Sequence, residues 1–318
     1  MEGFLDIYWC LFWYLMAAPF LVIGAIKLRK LFQEHPEMKL SVAISGAFIF
    51  VLSSLKLPSV TGSSSHPTGT GFSTILSGPR ITSIMATIVL LFQALLLAHG
   101  GITTLGANVF SMGVVGPFVA YGVYKLMQKA KVHVVATIFT TAFIADFATY
   151  LTTSMQLALA YPSNGSVLIS LATFLGIFAL TQIPLAVLEA VLIVMFFDYL
   201  SRSRPELLRP ELVIDKGKKM SWASRMVVGG IVVVCILLIP MLMYAGQQLE
   251  GTDSSGGNAI QNIVPDYQPW FDGFFHPSPE MEPWLFALQA VIGISIIGAV
   301  LYLTMRRRRK KRTEGSTE

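Results

Sequence analysis

The sequence predicts an all-α polytopic membrane protein, a bundle of about seven helices followed by a two-helix unit with an outer loop. Three observations carry that expectation. First, 54% of the 318 residues are hydrophobic and only 13% are charged, with a mean hydropathy of +0.65, well outside the composition of a soluble domain. Second, stretches long and apolar enough to cross a hydrocarbon core of roughly 30 Å recur along the whole chain. Third, these stretches are apolar on all sides rather than alternating, which argues for helices and against barrel strands.

In chain order the expected spans are 7–26, 41–57, 81–98, 103–126, 133–160, 166–200, 226–245 and 285–305. The first has no basic run ahead of it and no small-residue cleavage site, so it reads as a retained span and not a signal peptide. The stretch 166–200 exceeds one untilted span, and Pro184 inside it predicts a kink. "SRSRPELLRPELVIDKGKK", residues 201–219, is charged and holds two prolines, the composition of a linker. The chain therefore divides into a membrane bundle at 1–200, a cytosolic linker at 201–225, and a two-span unit at 226–318 with its outer loop at 246–284.

Charge sets the expected topology. Lys27, Arg29 and Lys30 follow the first span, which places them in the cytosol and the N-terminus outside. Simple alternation from there would put Lys125, Lys129 and Lys131 outside, against the positive-inside rule. One extra inward passage between His66 and Arg80 restores the rule. The only segment available is "TGTGFSTILSGPR", too short to face lipid and therefore expected to be walled by other helices. Under this nine-passage count Arg80, Lys125 to Lys131, the 202–219 basic residues and "RRRRKKR" (306–312) lie in the cytosol with the C-terminus. The N-terminus, His66, the His99 turn, "YPSNGS" (161–166) and the loop after residue 245 lie outside. The terminal basic run accounts for much of the pI of about 9.2 as a stop signal, and no nucleic-acid partner is implied. The outer loop holds Glu250, Asp253, Asp266, Asp272, Glu280 and Glu282 and no Lys or Arg. Either it attracts cations, or it merely has the composition that translocation selects.

No P-loop is present, since "DKGKKMS" lacks the first glycine of G-x-x-x-x-G-K-[ST], so the chain does not hydrolyse ATP by itself. H-E-x-x-H is also missing, as is any Ser/His/Asp arrangement beyond chance, and the chain is not read as an enzyme. Cys10 and Cys235 have no metal-ligand spacing and read as packing. Of five histidines, His35, His133 and His276 read as solvated or capping residues. His66, in "SSSHPTGTG", and His99, in "LLLAHGGITT", share the outer side and flank glycines, which lets a borderline metal approach neutral imidazole closely. Asp146 and Glu189 fall inside spans, where an unpaired carboxylate costs several kcal/mol, so both are expected to face the bundle interior or a subunit partner. For them and for Asn108, structural hydrogen bonding and a coupling role both stay open. The small residues Ala17, Ala18, Gly24, Ala43, Gly46 and Ala47 suit sliding against a partner helix or ordinary close packing.

"MEGFL", "SSSHPTGTG", "FQALLLAHGGITTLGANVFSMGVVGP" and "FIADFATYLTTSMQLALAYP" closely resemble the membrane-embedded substrate-capture subunit of cobalt and nickel energy-coupling-factor (ECF) transporters, the CbiM/NikM family. "GTDSSGGNAIQNIVPDYQPWF" and "LFALQAVIGISIIGAVLY" are similar to its small companion subunit, of CbiN type, so the chain looks like a fusion of the two. The resemblance implies import of Co²⁺ or Ni²⁺ across the cell membrane, driven by a transmembrane coupling subunit and a cytosolic ATPase pair, with no permanent cofactor. The fused small subunit points to cobalt, for cobalamin synthesis. A non-transporting membrane scaffold or assembly protein is the alternative. The resemblance also implies a planar all-nitrogen site at the outer face. Its ligands come from an N-terminal Met-His-Ile-Met-Glu-Gly, through the free amine, the second backbone nitrogen and the second imidazole, and from the histidine matching His66. This sequence begins Met1-Glu2-Gly3, as though Met-His-Ile were lost, so the native start is expected three codons upstream. As written, Met1 offers only its amine, and the 318-residue form is expected to bind the ion poorly.

Overall fold

The computed structural model describes residues 3–55, 66–97, 99–214, 252–271, 275, 278 and 281–314. Among these the chain is helical almost throughout, the sole extended pairing being an isolated bridge between Ser163 and Ser166. Among the described residues, six helices or helix segments are long and apolar enough to span a membrane.

Helix α1 (Ile7–Glu34) starts where Asp6 accepts the N–H of Tyr8 at 2.9 Å and stops ahead of Pro36, whose ring disfavours helix in the residue before it. Helix α2 (Lys39–Leu52) is shorter than the expected span ending at residue 57. Two serines end it: the Ser53 hydroxyl donates to Phe50 O at 3.3 Å and the Ser54 hydroxyl to Val51 O at 2.6 Å, a local alternative to the helical ladder.

From His66 the chain leads into α3 (Thr70–Ser77), whose residues 70–76 are all buried. The charge pattern places an extra inward passage in this stretch, and the structure has this short buried helix there. Gly69 makes it possible: its φ is +70° and a Cβ there would sit 2.8 Å from Ile49 Cα, so any side chain would be strained and would push the segment off α2. Helix α4 (Pro79–Leu96) returns the chain, with proline at its first turn.

Helix α5 (Leu105–Lys129) contains a π-type stretch at Val109–Val115. Helix α6 (Val134–Ala160) is capped by His133, whose Nδ1 accepts Val135 N–H at 3.3 Å. Helix α7 (Val167–Ser203) encloses Pro184, and its stretch Thr181–Ser203 is the spanning part. Half of the segment expected as linker is packed: Leu207, Leu208, Leu212 and Ile214 are buried beneath α3 and α7 with Ile75, Leu76 and Leu200, and Arg209 donates to Leu76 O at 3.2 Å at the end of α3. The repeated "RPEL" thus alternates exposed glutamate with buried leucine.

The expected span 226–245 lies outside the described residues, as does Cys235. Within the expected outer loop the structure has a helix, α8 (Thr252–Ile263), whose Ala259 and Ile260 pack on Phe174 and Phe178 of α7. Tertiary burial overrides the poor helix propensity of its Ser and Gly run. Helix α9 (Glu282–Glu314) ends the described chain and lies along α2.

Three apolar cores result. One joins Phe48, Phe72, Tyr124, Ile193 and Phe197 at the end carrying the 200–214 segment. A second joins Leu5, Trp13, Ala107, Tyr150 and Phe178 at the end carrying the amino terminus, and a third joins Ala17, Ile49, Val89, Leu105 and Met112 where α1, α2, α4 and α5 meet. Asp146 and Glu189 lie on α6 and α7 between the stretches that feed the first two cores.

Candidate metal centre

Two of the histidines meet. His66 stands on the loop entering the bundle ahead of α3, and His99 opens the glycine turn after α4. Their Nε2 atoms are 3.1 Å apart, with ring centroids at 5.0 Å and planes 56° apart. Two metal–nitrogen bonds of about 2.0–2.1 Å meeting at a right or tetrahedral angle place their nitrogens about 2.9–3.4 Å apart. The pair therefore has the spacing of neighbouring ligands on one ion, as well as that of an N–H···N hydrogen bond. His66 Nδ1 lies 2.9 Å from Pro67 O. A proton donated there leaves the Nε2 lone pair facing His99, the tautomer that a metal takes.

The His66 loop is tied down from below. Thr68 donates its N–H to Glu189 Oε2 at 2.5 Å and its hydroxyl to both carboxylate oxygens at 3.1 Å, and the N–H groups of Gly69 and Gly71 bond to the same carboxylate. Gly71 N–H is one of the donors that the first turn of α3 leaves without a helical partner, and Thr70 N–H is taken by Thr68 Oγ1 at 3.3 Å. The Glu189 carboxylate, fully buried on α7, sets its charge at the positive end of the helix. Asp146, also buried, lies within electrostatic reach of Glu189, and its Oδ2 has no hydrogen-bond partner among the described residues. Neither carboxylate joins the histidine pair, and among the described residues no third His, Cys, Asp or Glu does.

The His99 turn is held by its own neighbours. His99 donates its N–H to Gln93 O at 3.1 Å, and Asn108 Nδ2 donates to Gly100 O at 3.2 Å, alongside the Thr104 hydroxyl. Asn108 is thus bound to the residue after His99 rather than to a lipid-facing neighbour. The amino terminus reaches the same turn: Gly3 N–H donates to Thr103 Oγ1 at 3.0 Å. Met1 and Glu2 lie outside the described residues, and with them the Met1 amine.

The segment from Gly3 to Leu5 is also gripped through its carbonyls. Tyr161 donates to Phe4 O, Tyr267 to Gly3 O at 3.1 Å and Phe4 O at 2.8 Å, and Trp270 Nε1 to Leu5 O at 2.6 Å. Burial pushes the titration of both tyrosines up, so both remain donors at neutral pH. Neither tyrosine, nor Trp270, nor Thr103 carries a sequence signal that would single it out; only the fold brings them to the amino terminus.

The remaining histidines are ordinary where described. His35 pairs with Glu37 at 3.2 Å on an exposed turn, His133 caps α6, and His276 lies outside the described residues. Cys10 is buried with its thiol 3.3 Å from Leu5 O.

Comparison with known proteins agrees with this architecture. Residues 1–207 match the model of the family described as cobalt uptake substrate-specific transmembrane region, CbiM, and residues 223–315 match cobalt transport protein component CbiN. The cobalt transport protein CbiM of Carboxydothermus hydrogenoformans is 57% identical over 64% of this chain and 82% of its own length. Those of Chlorobium limicola and Streptococcus sanguinis are 56% and 53% identical over 65% of this chain, covering 82% and 85% of theirs. Among solved structures, a truncated transition metal transporter superposes with a TM-score of 0.51 at 28% identity, over 63% of this chain and 96% of that one. The chain belongs to the CbiM family of cobalt uptake substrate-specific membrane proteins, a family of transporter components and not of enzymes, and carries a CbiN component in the same polypeptide.

Proposed function

We propose that this chain captures Co²⁺ at the end of the bundle that bears His66, His99 and the amino terminus, that this end faces away from the cytosol, and that import is driven by an ECF-type coupling subunit and its ATPase pair. The observation that carries the reading is the 3.1 Å approach of the two Nε2 atoms on a turn that also binds the amino-terminal segment. Two imidazoles do not complete a coordination shell, and the amino-terminal segment is bound on the same turn. The opposite end gathers Lys125, Lys129, Lys131, Arg202 and Arg209, which supports a cytosolic placement by the positive-inside rule. Ni²⁺ is the second ion that such a nitrogen set accommodates.

Adding Met-His-Ile ahead of Met1 supplies a new imidazole and backbone nitrogen. Co²⁺ titration of the two forms in nanodiscs is expected to show tighter binding by at least about 10-fold in the extended one, the scale of a single lost ligand interaction. Equal affinities would remove the amino terminus from the site.

The CbiN part acts on the same segment. Tyr267 and Trp270 hold the backbone of residues 3–5 against the bundle, so the second part retains the ion by closing the amino terminus over the histidines. Tyr267→Phe removes the one hydroxyl proton shared between two carbonyls, a hydrogen bond of about 1 kcal/mol, and radioactive Co²⁺ uptake in cells at limiting metal is expected to fall about 5-fold. Deleting residues 251–283 is expected to abolish uptake. Wild-type uptake in both would show that the outer segment takes no part in loading.

The cycle that follows is a two-state one. Capture stabilises the form with the amino terminus closed, and ATP-driven movement of the partner subunits tips the bundle toward release in the cytosol.

A further inference from the structure

Helix α9 belongs to the CbiN part, yet one of its faces is directed at the capture site. Phe286, Gln289 and Gly293 follow one another at three- and four-residue spacing and so share a stripe. Gly293 sits where a Cβ would come within 2.5 Å of Val51 Cγ2, so its lack of a side chain seats α9 directly on α2. Gln289 is fully buried. In hydrocarbon a primary amide must find partners, and this one finds them on two other helices. Its Nε2 donates to Phe50 O at 2.8 Å and Ser53 Oγ at 2.9 Å, and its Oε1 accepts from Gln93 Nε2 at 3.4 Å. Gln93 Nε2 also reaches Ser53 O at 3.3 Å, and the Gln93 carbonyl is the one that accepts the His99 N–H. At the top of the stripe the Phe286 ring meets His99 edge to face, centroids 5.5 Å apart.

We infer that α9 forms a wall of the metal site, with Gln289 a positioning residue that fixes the end of α4 and the His99 turn, and Phe286 the group that sets the His99 ring. The CbiN part then acts on the site twice, from its outer segment on the amino terminus and from α9 on His99. The inference rests on the reading that His66 and His99 take the ion. Amide glue between helices alone would explain Gln289 and its partners, but it leaves unexplained why the same stripe ends on His99.

The test uses the full chain in nanodiscs with Co²⁺ alone, comparing wild type, Gln289→Leu, Phe286→Leu and His66→Ala by affinity and by the visible absorption of bound Co²⁺. Phe286→Leu keeps an apolar side chain of similar reach, so it reports on the site even if Gln289→Leu disturbs folding. Both α9 variants are expected to weaken Co²⁺ binding about 10-fold, the scale of a lost outer-shell partner, and to shift the absorption bands at saturating metal. A helix-packing role would lower thermal stability and leave the saturated spectrum unchanged. Wild-type affinity and spectrum in Phe286→Leu, with binding lost in His66→Ala, would overturn the inference and leave the capture site standing. Wild-type binding in His66→Ala would bring down the capture reading and the inference with it.

Discussion

Replacing His66 with alanine is expected to abolish Co²⁺ capture, with affinity lowered by about 100-fold or more in the chain extended by Met-His-Ile and no measurable binding in the 318-residue form. Partners one shell away from a metal are worth about 10- to 100-fold in affinity, and a direct ligand exceeds them. His66 belongs to none of the three apolar cores, and its ring contacts His99 and the adjoining Pro67 carbonyl, so the substitution should leave thermal stability within a few degrees of wild type. Equilibrium dialysis with radioactive Co²⁺ measures capture, and uptake in cells measures its consequence. His99→Ala is expected to follow in the same direction. Undiminished uptake by both variants would favour a scaffold whose histidines are structural.

Glu189→Leu is expected to do more damage to the fold than any other single change in the bundle. It would leave the N–H groups of Thr68, Gly69 and Gly71 without their acceptor, and removing one member of a buried charged set costs of the order of 3–5 kcal/mol. The segment 66–77 should lose its protection from hydrogen exchange, and the thermal midpoint should drop sharply. Glu189→Gln is the milder variant, because one amide oxygen still accepts while the charge at the start of α3 is lost. It is expected to fold, to loosen residues 66–71, and to bind Co²⁺ about 10-fold less tightly, as befits an outer-shell support. A Glu189→Leu protein with wild-type melting and uptake would show that the carboxylate does not anchor the loop.

What the sequence disclosed and what it withheld divide along physical lines. Long apolar stretches are a local signal, so α1, α4, α5, α6, α7 and α9 were all expected close to where they lie. Hydropathy alone misses α3, whose Gly, Ser and Thr content is that of a loop; the distribution of Lys and Arg calls for an extra inward passage in this stretch, where the structure has a short buried helix. The end of α2 was misplaced because two serine hydroxyls terminate it, a choice no hydropathy window registers. Likewise α8 owes its helix to Phe174 and Phe178 on α7, distant in sequence. At the site, His66 and His99 were singled out by glycine context and expected sidedness, and the fold brings them together. Glu189 was flagged as an expensive intramembrane charge, but its partner Thr68 lies 121 residues away, and no pattern in one sequence links them. The same distance hid the grip of Tyr267 and Trp270 on residues 3–5.

The central claim is that nitrogen ligands from His66, His99 and the amino-terminal segment surround the ion, and that the buried carboxylates are not among its ligands. X-ray absorption of the Co²⁺-loaded protein tests it most directly. The account predicts a first shell of nitrogen with the outer-shell scattering of imidazole, reduced when His66 is replaced by alanine and retained in Glu189→Gln. A shell of carboxylate oxygen that ignores the loss of His66 and changes with Glu189 would place the ion between Asp146 and Glu189 and contradict the account.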